Sequence, residues 1–227
     1  MGKAIDSVRA MFRWFKDLLY PNLCMFCGTL LTRTDSILCC ESCEKTLTEI
    51  GYSHTAAGDL SVAWAVYDDA VRDAIHKFKF RRRPQLAHTF AYLMRKALVN
   101  LDGYDTITWV PTSVLRKQKR GYDQSELLAK ALSDLLDIPA VKLLRKIGHN
   151  RKQSGLDAAR RAKNVCGRYR ADAKLAVGRN VLVIDDVYTT GATMSECMKT
   201  LKTAGAASCM GLTIARTQKG RKKNRKK

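Results

Sequence analysis

Between residues 181 and 215 the chain reads strand, turn, helix, strand with almost nothing spare, and this stretch restricts the fold more than any other. Val181-Leu-Val-Ile184 is a short apolar run suited to a buried strand, TMSECMKTLKTAGA makes a helix from near Thr193 to near Gly205, and CMGLTIA at 209–215 is a second strand. Two strands joined by a helix with short joints form a βαβ unit, whose crossover returns the chain to the same end of the sheet. The expected fold class is α/β, a parallel sheet flanked by helices.

The joint between strand and helix carries the chemistry. Asp185 and Asp186 follow the apolar run directly, where ligands of open α/β sheets sit. Adjacent carboxylates pack poorly but accept well from a sugar diol or metal-bound water. Tyr188-Thr-Thr-Gly-Ala-Thr193 comes next: hydroxyls, a glycine and a helix N-terminus whose free N–H groups and dipole suit a monophosphate. Gly191 lets the backbone approach such a group closely. A plainer reading stands beside this one, in which the two acids cap a turn and Thr193 is an ordinary N-cap. The segment has no lysine after a glycine loop, as a P-loop needs, and no Gly-x-Gly-x-x-Gly, as a dinucleotide fold needs.

Cysteine placement supplies the second constraint. Cys24, Cys27, Cys39, Cys40 and Cys43 crowd into one short stretch, while Cys166, Cys197 and Cys209 are scattered. With no secretory signal read at the N-terminus, the pattern predicts metal ligands and isolated thiols in a reducing cytoplasm. Cys24-x-x-Cys27 and Cys40-x-x-Cys43 offer four thiolates for a tetrahedral structural zinc. Cys39 competes with Cys40 for the third position but breaks the two-residue spacing, and the same four ligands also suit an iron–sulfur cluster. His54, His76, His88 and His149 form no ligand spacing.

Residues 1–20 are expected to form a leading amphipathic helix, packed on the body or touching a membrane, since no stretch approaches the roughly 18 apolar residues of a spanning helix. Residues 21–50 then form the cysteine module, 60–216 the main domain and 217–227 a disordered basic tail. Within the main domain, strands are expected at 61–67 and 106–111 and helices over Val71–Phe78, 85–99 and 125–136, with LRKQKRGYDQ as a basic turn. The chain has 41 Lys and Arg against 21 Asp and Glu, a net +20, which favours an anionic partner without choosing among nucleotide, nucleic acid and acidic membrane.

The acidic run resembles the phosphoribosyl-diphosphate motif of type I phosphoribosyltransferases: an apolar strand, two acids and a Thr-Thr-Gly-x-Thr loop. Over roughly residues 20–216 the chain is similar to the ComF family, also called the GntX group, of competence-associated phosphoribosyltransferase-like proteins. The matching pieces are the paired Cys-x-x-Cys motifs, Ile75-His-Lys-Phe-Lys-Phe80, and Val110-Pro111 followed by Arg116 and Arg120-Gly-Tyr-Asp-Gln-Ser-Glu-Leu-Leu128. Arg161-x-x-Asn164-Val-x-Gly167 and the acidic motif complete the series in order. Asp123 stands where relatives commonly carry Asn, and the basic tail belongs to no shared motif.

The resemblance implies a type I phosphoribosyltransferase-like sheet behind a small four-cysteine zinc module. It implies that Asp185 and Asp186 face the ribose 2′ and 3′ hydroxyls, and that Tyr188, Thr189, Thr190, Gly191, Ala192 and Thr193 hold the 5′-phosphate. Val110, Pro111 and Thr112 match the pyrophosphate loop; Arg116, Lys119 and Arg120 follow closely enough to reach a magnesium-bound diphosphate, although surface solubility accounts for such residues equally. Residues 150–164, with Arg151, Lys152, Gln153 and Arg161, read as an exposed basic loop and either close over the substrate or form a solvated helix. The acceptor is not legible. Two functions follow: magnesium-dependent transfer of a phosphoribosyl group in a competence or DNA-utilisation setting, or non-catalytic binding of the same donor by an adaptor or sensor. The partner implied is phosphoribosyl diphosphate, with single-stranded DNA or DNA-uptake proteins as further candidates, and the expected location is cytoplasmic, either free or peripheral at the inner face of the membrane.

Overall fold

The computed structural model describes residues 21–31, 37–55, 57–81, 83–99, 102–147 and 167–218. The expected leading helix, the expected covering loop with Arg151, Lys152, Gln153 and Arg161, and all but two residues of the tail lie outside the described residues. The chain runs through α1 (Glu41–Leu47), β1 (Gly51–His54), β2 (Leu60–Val66), α2 (Asp69–Phe80), and α3 (Leu86–Arg95), which tightens into a 3-10 turn at Lys96–Leu98. It continues with β3 (Thr106–Trp109), α4 (Val114–Arg120), α5 (Gln124–Leu136), β4 (Leu144–Lys146), β5 (Tyr169–Ala171), α6 (Ala173–Ala176), β6 (Asn180–Tyr188), α7 (Ala192–Thr203) and β7 (Ser208–Arg216).

Five strands form one sheet in the order β1-β2-β7-β6-β3. β2, β7, β6 and β3 are mutually parallel, and β1 adds an antiparallel edge. β4 and β5 pair separately as an antiparallel ribbon. Strand alternation divides the core into two layers. Leu182, Ile184, Met210, Leu212 and Ile214 share one cluster with α2, α3 and α5, centred on the fully buried Trp64, Phe78 and Phe90. Val181, Val183 and Cys209 share the other with Met194, Cys197, Met198 and Leu201 of α7. α7 lies close over Gly211: a Cβ there would press on Met194, Met198 and Ser61. Helices on both faces of a mostly parallel sheet match the expected class.

Three local expectations change. LRKQKRGYDQ is not a turn: its first part is helix α4, which ends at Gly121 in the left-handed region with φ 86°. Propensity missed it because α4 buries no side chain and so carries no apolar period. The cysteine region contains α1, with Cys40 as its N-cap. β6 extends past its apolar run to Tyr188, because β7 lies beside it as far as Arg216 and completes its hydrogen bonding. The two acids therefore sit in a strand, although isolated Asp disfavours one.

The cysteine segment is anchored on the main core. Met25 is buried in the large cluster, Phe26 meets Trp64 at 6.0 Å and Phe90 edge-on at 6.5 Å, and the Met25 carbonyl accepts from Lys77 Nζ at 3.0 Å. The Leu38 amide donates to Thr89 Oγ1 at 2.9 Å. Among the described residues no helix is long and apolar enough to cross a membrane.

Candidate functional site

Two hollows meet at the carboxyl ends of β3 and β6, and both are lined by Asp185 and Thr193. The first lies over the turn into α7 and adds Tyr188, Thr189, Gly191 and Thr213. Its helix begins at Gly191, φ 74°, with no side-chain cap, whereas Asp68 and Asp123 cap α2 and α5. Uncapped N–H groups at the end of a twelve-residue helix are free to meet an anion. The Thr190 hydroxyl accepts only a distant bond from Ala192 N–H, at 3.4 Å. Thr193 lies inside the helix and is not its N-cap, so the plainer reading of that residue does not hold.

Gly191 is required twice over. Its φ is one that L side chains rarely adopt, and a Cβ there would collide with the Tyr188 hydroxyl, which donates to the His54 carbonyl at 3.2 Å. Gly191→Ala is expected to cost about 1–2 kcal/mol. For a chain of this size that lowers the midpoint of a thermal melt by roughly 3–6 °C. An unchanged midpoint would mean that neither the left-handed φ nor the Tyr188 contact penalises a side chain at this position.

The second hollow encloses about 180 Å³. Its walls bring together Val110, Pro111, Thr112, Arg116, Arg120, Asp185 and Asp186, all expected there, with Lys79, Lys146, Tyr169 and the start of α5. Thr112 is placed by its own backbone: its N–H donates at 2.9 Å to Asp123, the residue whose other oxygen caps α5 by accepting from Ser125 N–H at 3.2 Å. Asp123 is buried, and burial raises its carboxyl above the ordinary range. Lys119 is exposed on α4 and does not line the hollow.

The two acids are built differently. Asp185 accepts from the Ser125 hydroxyl at 3.0 Å and from the Asp186 N–H at 2.9 Å. Burial, then the adjacent Asp186 carboxylate, push its carboxyl up to about 7. Asp186 instead forms an ion pair with Lys79 at 2.7 Å, both side chains largely buried. Lys79 was not expected at the site, although it lies inside the Ile75–Phe80 motif. It reaches the site because α2 ends beside β6, which no local pattern reveals. Lys146 likewise arrives from the β4–β5 ribbon. Burial, reinforced by Arg116 and Arg168, lowers its ammonium, and it lies 5.6 Å from the Tyr169 ring. The hollow thus sets Lys79, Arg116, Arg120 and Lys146 against Asp123, Asp185 and Asp186. Such a surface suits a ligand carrying hydroxyls at one end and concentrated negative charge at the other.

The sulfurs of Cys24, Cys27, Cys40 and Cys43 lie within 4.8 Å of one another. Cys27 and Cys40 Sγ are 3.7 Å apart, close to the roughly 3.8 Å separating ligands of a tetrahedral ion with bonds of about 2.3 Å. Backbone N–H groups support two of the sulfurs, Cys40 N–H to Cys24 at 3.4 Å and Cys43 N–H to Cys40 at 3.5 Å. Gly28, φ 77°, turns the first knuckle back on itself. Cys39 stays outside the cluster and packs half-buried against the large core. The donor set fits a metal such as zinc.

Acids near the carboxyl end of β6, an uncapped phosphate-type loop and a cationic hollow beside them define a phosphoribosyltransferase-type domain, and the family model described as phosphoribosyl transferase domain matches residues 110–227. Competence protein ComFC of Bacillus subtilis is 30% identical over 86% of this chain and 78% of its own length. The DNA utilization protein YhgH of Escherichia coli K12 is 30% identical over 86% of this chain and 91% of its own. The chain belongs to the ComF family. Among solved structures, the glutamine phosphoribosylpyrophosphate amidotransferase of B. subtilis aligns at a TM-score of 0.41 and 21% identity, over 60% of this chain and 30% of that one; the assignment rests on the sequence relatives.

Proposed function

We propose that the double hollow binds 5-phosphoribosyl diphosphate with magnesium and transfers its phosphoribosyl group to an acceptor, in a competence or DNA-utilisation setting. One observation carries the reading: a pair of carboxylates stands between an uncapped helix N-terminus and a cluster of cations on one continuous surface. The ligand has the same order of parts, a 5′-phosphate, a diol and a diphosphate. Tyr188 to Thr193 hold the phosphate, Asp185 and Asp186 accept from the ribose hydroxyls, and the Val110–Thr112 loop with Arg116, Arg120 and Lys146 faces the diphosphate.

Transfer breaks the bond from C1 to the diphosphate oxygen, whose electron pair leaves with pyrophosphate, while the acceptor forms a new bond to C1. Negative charge grows on the leaving group, and cations already fixed around it stabilise that charge without reorganising. Magnesium, a hard ion suited to the carboxylate and diphosphate oxygens, supplies further neutralisation of the leaving group when bound. Lys79 balances Asp186 before the ligand arrives and holds that carboxylate in place. The four-cysteine centre carries zinc in a structural role.

A second reading, binding without turnover in an adaptor that meets single-stranded DNA or DNA-uptake proteins, draws support from the relatives' names and the net charge of +20. Calorimetric titration of phosphoribosyl diphosphate with magnesium tests what both readings share. Pyrophosphate release across a panel of acceptors separates them. Release favours transfer, binding without consumption favours the adaptor, and no binding by folded, metal-loaded protein removes both.

A further inference from the structure

Gln124 is the side chain of the cleft left unexplained by the arrangement above. It stands on the first turn of α5, is 2% exposed, and lines the hollow beside Thr112, Arg120 and Asp185. Its Oε1 accepts from Arg120 Nη1 at 2.6 Å. A guanidinium offers only donors, so the carboxamide must turn its oxygen to Arg120 and its NH₂ elsewhere. That Nε2 is buried and has no hydrogen-bond partner among the described residues, a state native interiors seldom tolerate.

The neighbouring acids are engaged elsewhere. Asp123 accepts from the N–H groups of Thr112 and Ser125, Asp185 from the Ser125 hydroxyl and the Asp186 N–H, and Asp186 pairs with Lys79. We propose that Gln124 is a ligand-contacting residue: its Nε2 donates to an oxygen of the diphosphate group, while its Oε1 holds the Arg120 guanidinium toward the same group. The diphosphate is the appropriate part of the ligand because Gln124 shares its hollow with Arg116, Arg120 and Lys146, and does not line the hollow over the α7 turn. Arg120 is itself steadied from the other side, 4.8 Å from the Phe80 ring. The assignment rests on the phosphoribosyl diphosphate reading of the cleft.

The test uses the full chain with its cysteine centre loaded, and two probes: inorganic pyrophosphate with magnesium, and ribose 5-phosphate. Gln124→Leu is expected to weaken pyrophosphate binding about tenfold or more, as loss of a hydrogen bond to a charged acceptor does. Ribose 5-phosphate affinity should stay within about twofold, and its retention shows that the variant is folded. Arg120→Leu combined with Gln124→Leu should bind pyrophosphate more weakly than Arg120→Leu alone, because one direct contact is lost in addition. Unchanged pyrophosphate affinity in Gln124→Leu overturns the assignment. So does a double variant no weaker than Arg120→Leu, which would leave Gln124 acting through Arg120 only, and so does equal loss of both probes. If the wild-type chain binds neither probe, the phosphoribosyl reading falls and takes this assignment with it.

Discussion

Asp185→Asn combined with Asp186→Asn is expected to weaken binding of phosphoribosyl diphosphate with magnesium at least about 100-fold, since two charge-assisted hydrogen bonds at about 1.5–3 kcal/mol each are lost. Asp185→Asn alone should do something less intuitive: stabilise the fold at high pH. The Asp185 carboxyl is pushed up to about 7 from an ordinary 3.8 by burial and by Asp186. The folded state then holds that proton more tightly than the unfolded state. Its contribution to stability is complete below about pH 4 and is lost as pH rises through about 7. Asparagine cannot ionise, so the penalty disappears: at pH 8 the variant should melt a few degrees above wild type, and at pH 4 the two should nearly coincide. Ligand binding by wild type should strengthen from pH 6 to pH 8 for the same reason, because the deprotonated acid is the better acceptor. A variant that loses stability at pH 8 would show that the charged form is well accommodated in the empty cleft, and a double variant that still binds tightly would place the ribose elsewhere.

Removing the metal is expected to have the other large effect, and it should reach beyond the cysteine segment. Chelation should lower the thermal midpoint by more than about 10 °C, because structural zinc contributes on the order of 10 kcal/mol where the apo segment cannot hold itself together. The damage spreads because Met25 and Phe26 are packed in the main core against Trp64 and Phe90. Lys96 also pairs with Glu44 of α1, and Trp64 Nε1 donates to Thr48 Oγ1 at 3.0 Å. Cys24→Ser should be more harmful than Cys27→Ser, since Cys24 is buried and Cys27 exposed. The measurements are metal content, one ion per folded chain, and melting before and after chelation. A metal-free chain that melts at the same temperature would reduce the cluster to four neighbouring thiols.

The division between what was legible and what was not follows from the range of each interaction. The βαβ unit at 181–215, the acids at its joint, the glycine turn and the paired Cys-x-x-Cys knuckles are local, and residues within about a dozen positions impose them through burial pattern, turn chemistry and ligand spacing. They sufficed for the fold class and the family. The two-residue spacing also favours Cys40 over Cys39, and in the structure Cys40, the N-cap of α1, lies with the other three sulfurs while Cys39 packs on the large core. The extension of β6 through its acids needed β7 beside it. Lys79 and Gln124 lie within matched motifs and Lys146 in none, yet nothing local assigns any of them to the cleft: they are a helix end, a first helical turn and a ribbon strand. They become cleft residues because β3 and β6 are sheet neighbours, α2 ends and α5 begins beside their carboxyl ends, and the ribbon reaches the same place. By itself the sequence determined which chemical groups are present and the local frame that presents the acids. Only the tertiary structure decided which distant charges surround them, because electrostatic pairing and burial depend on separation in space and leave no period along the chain.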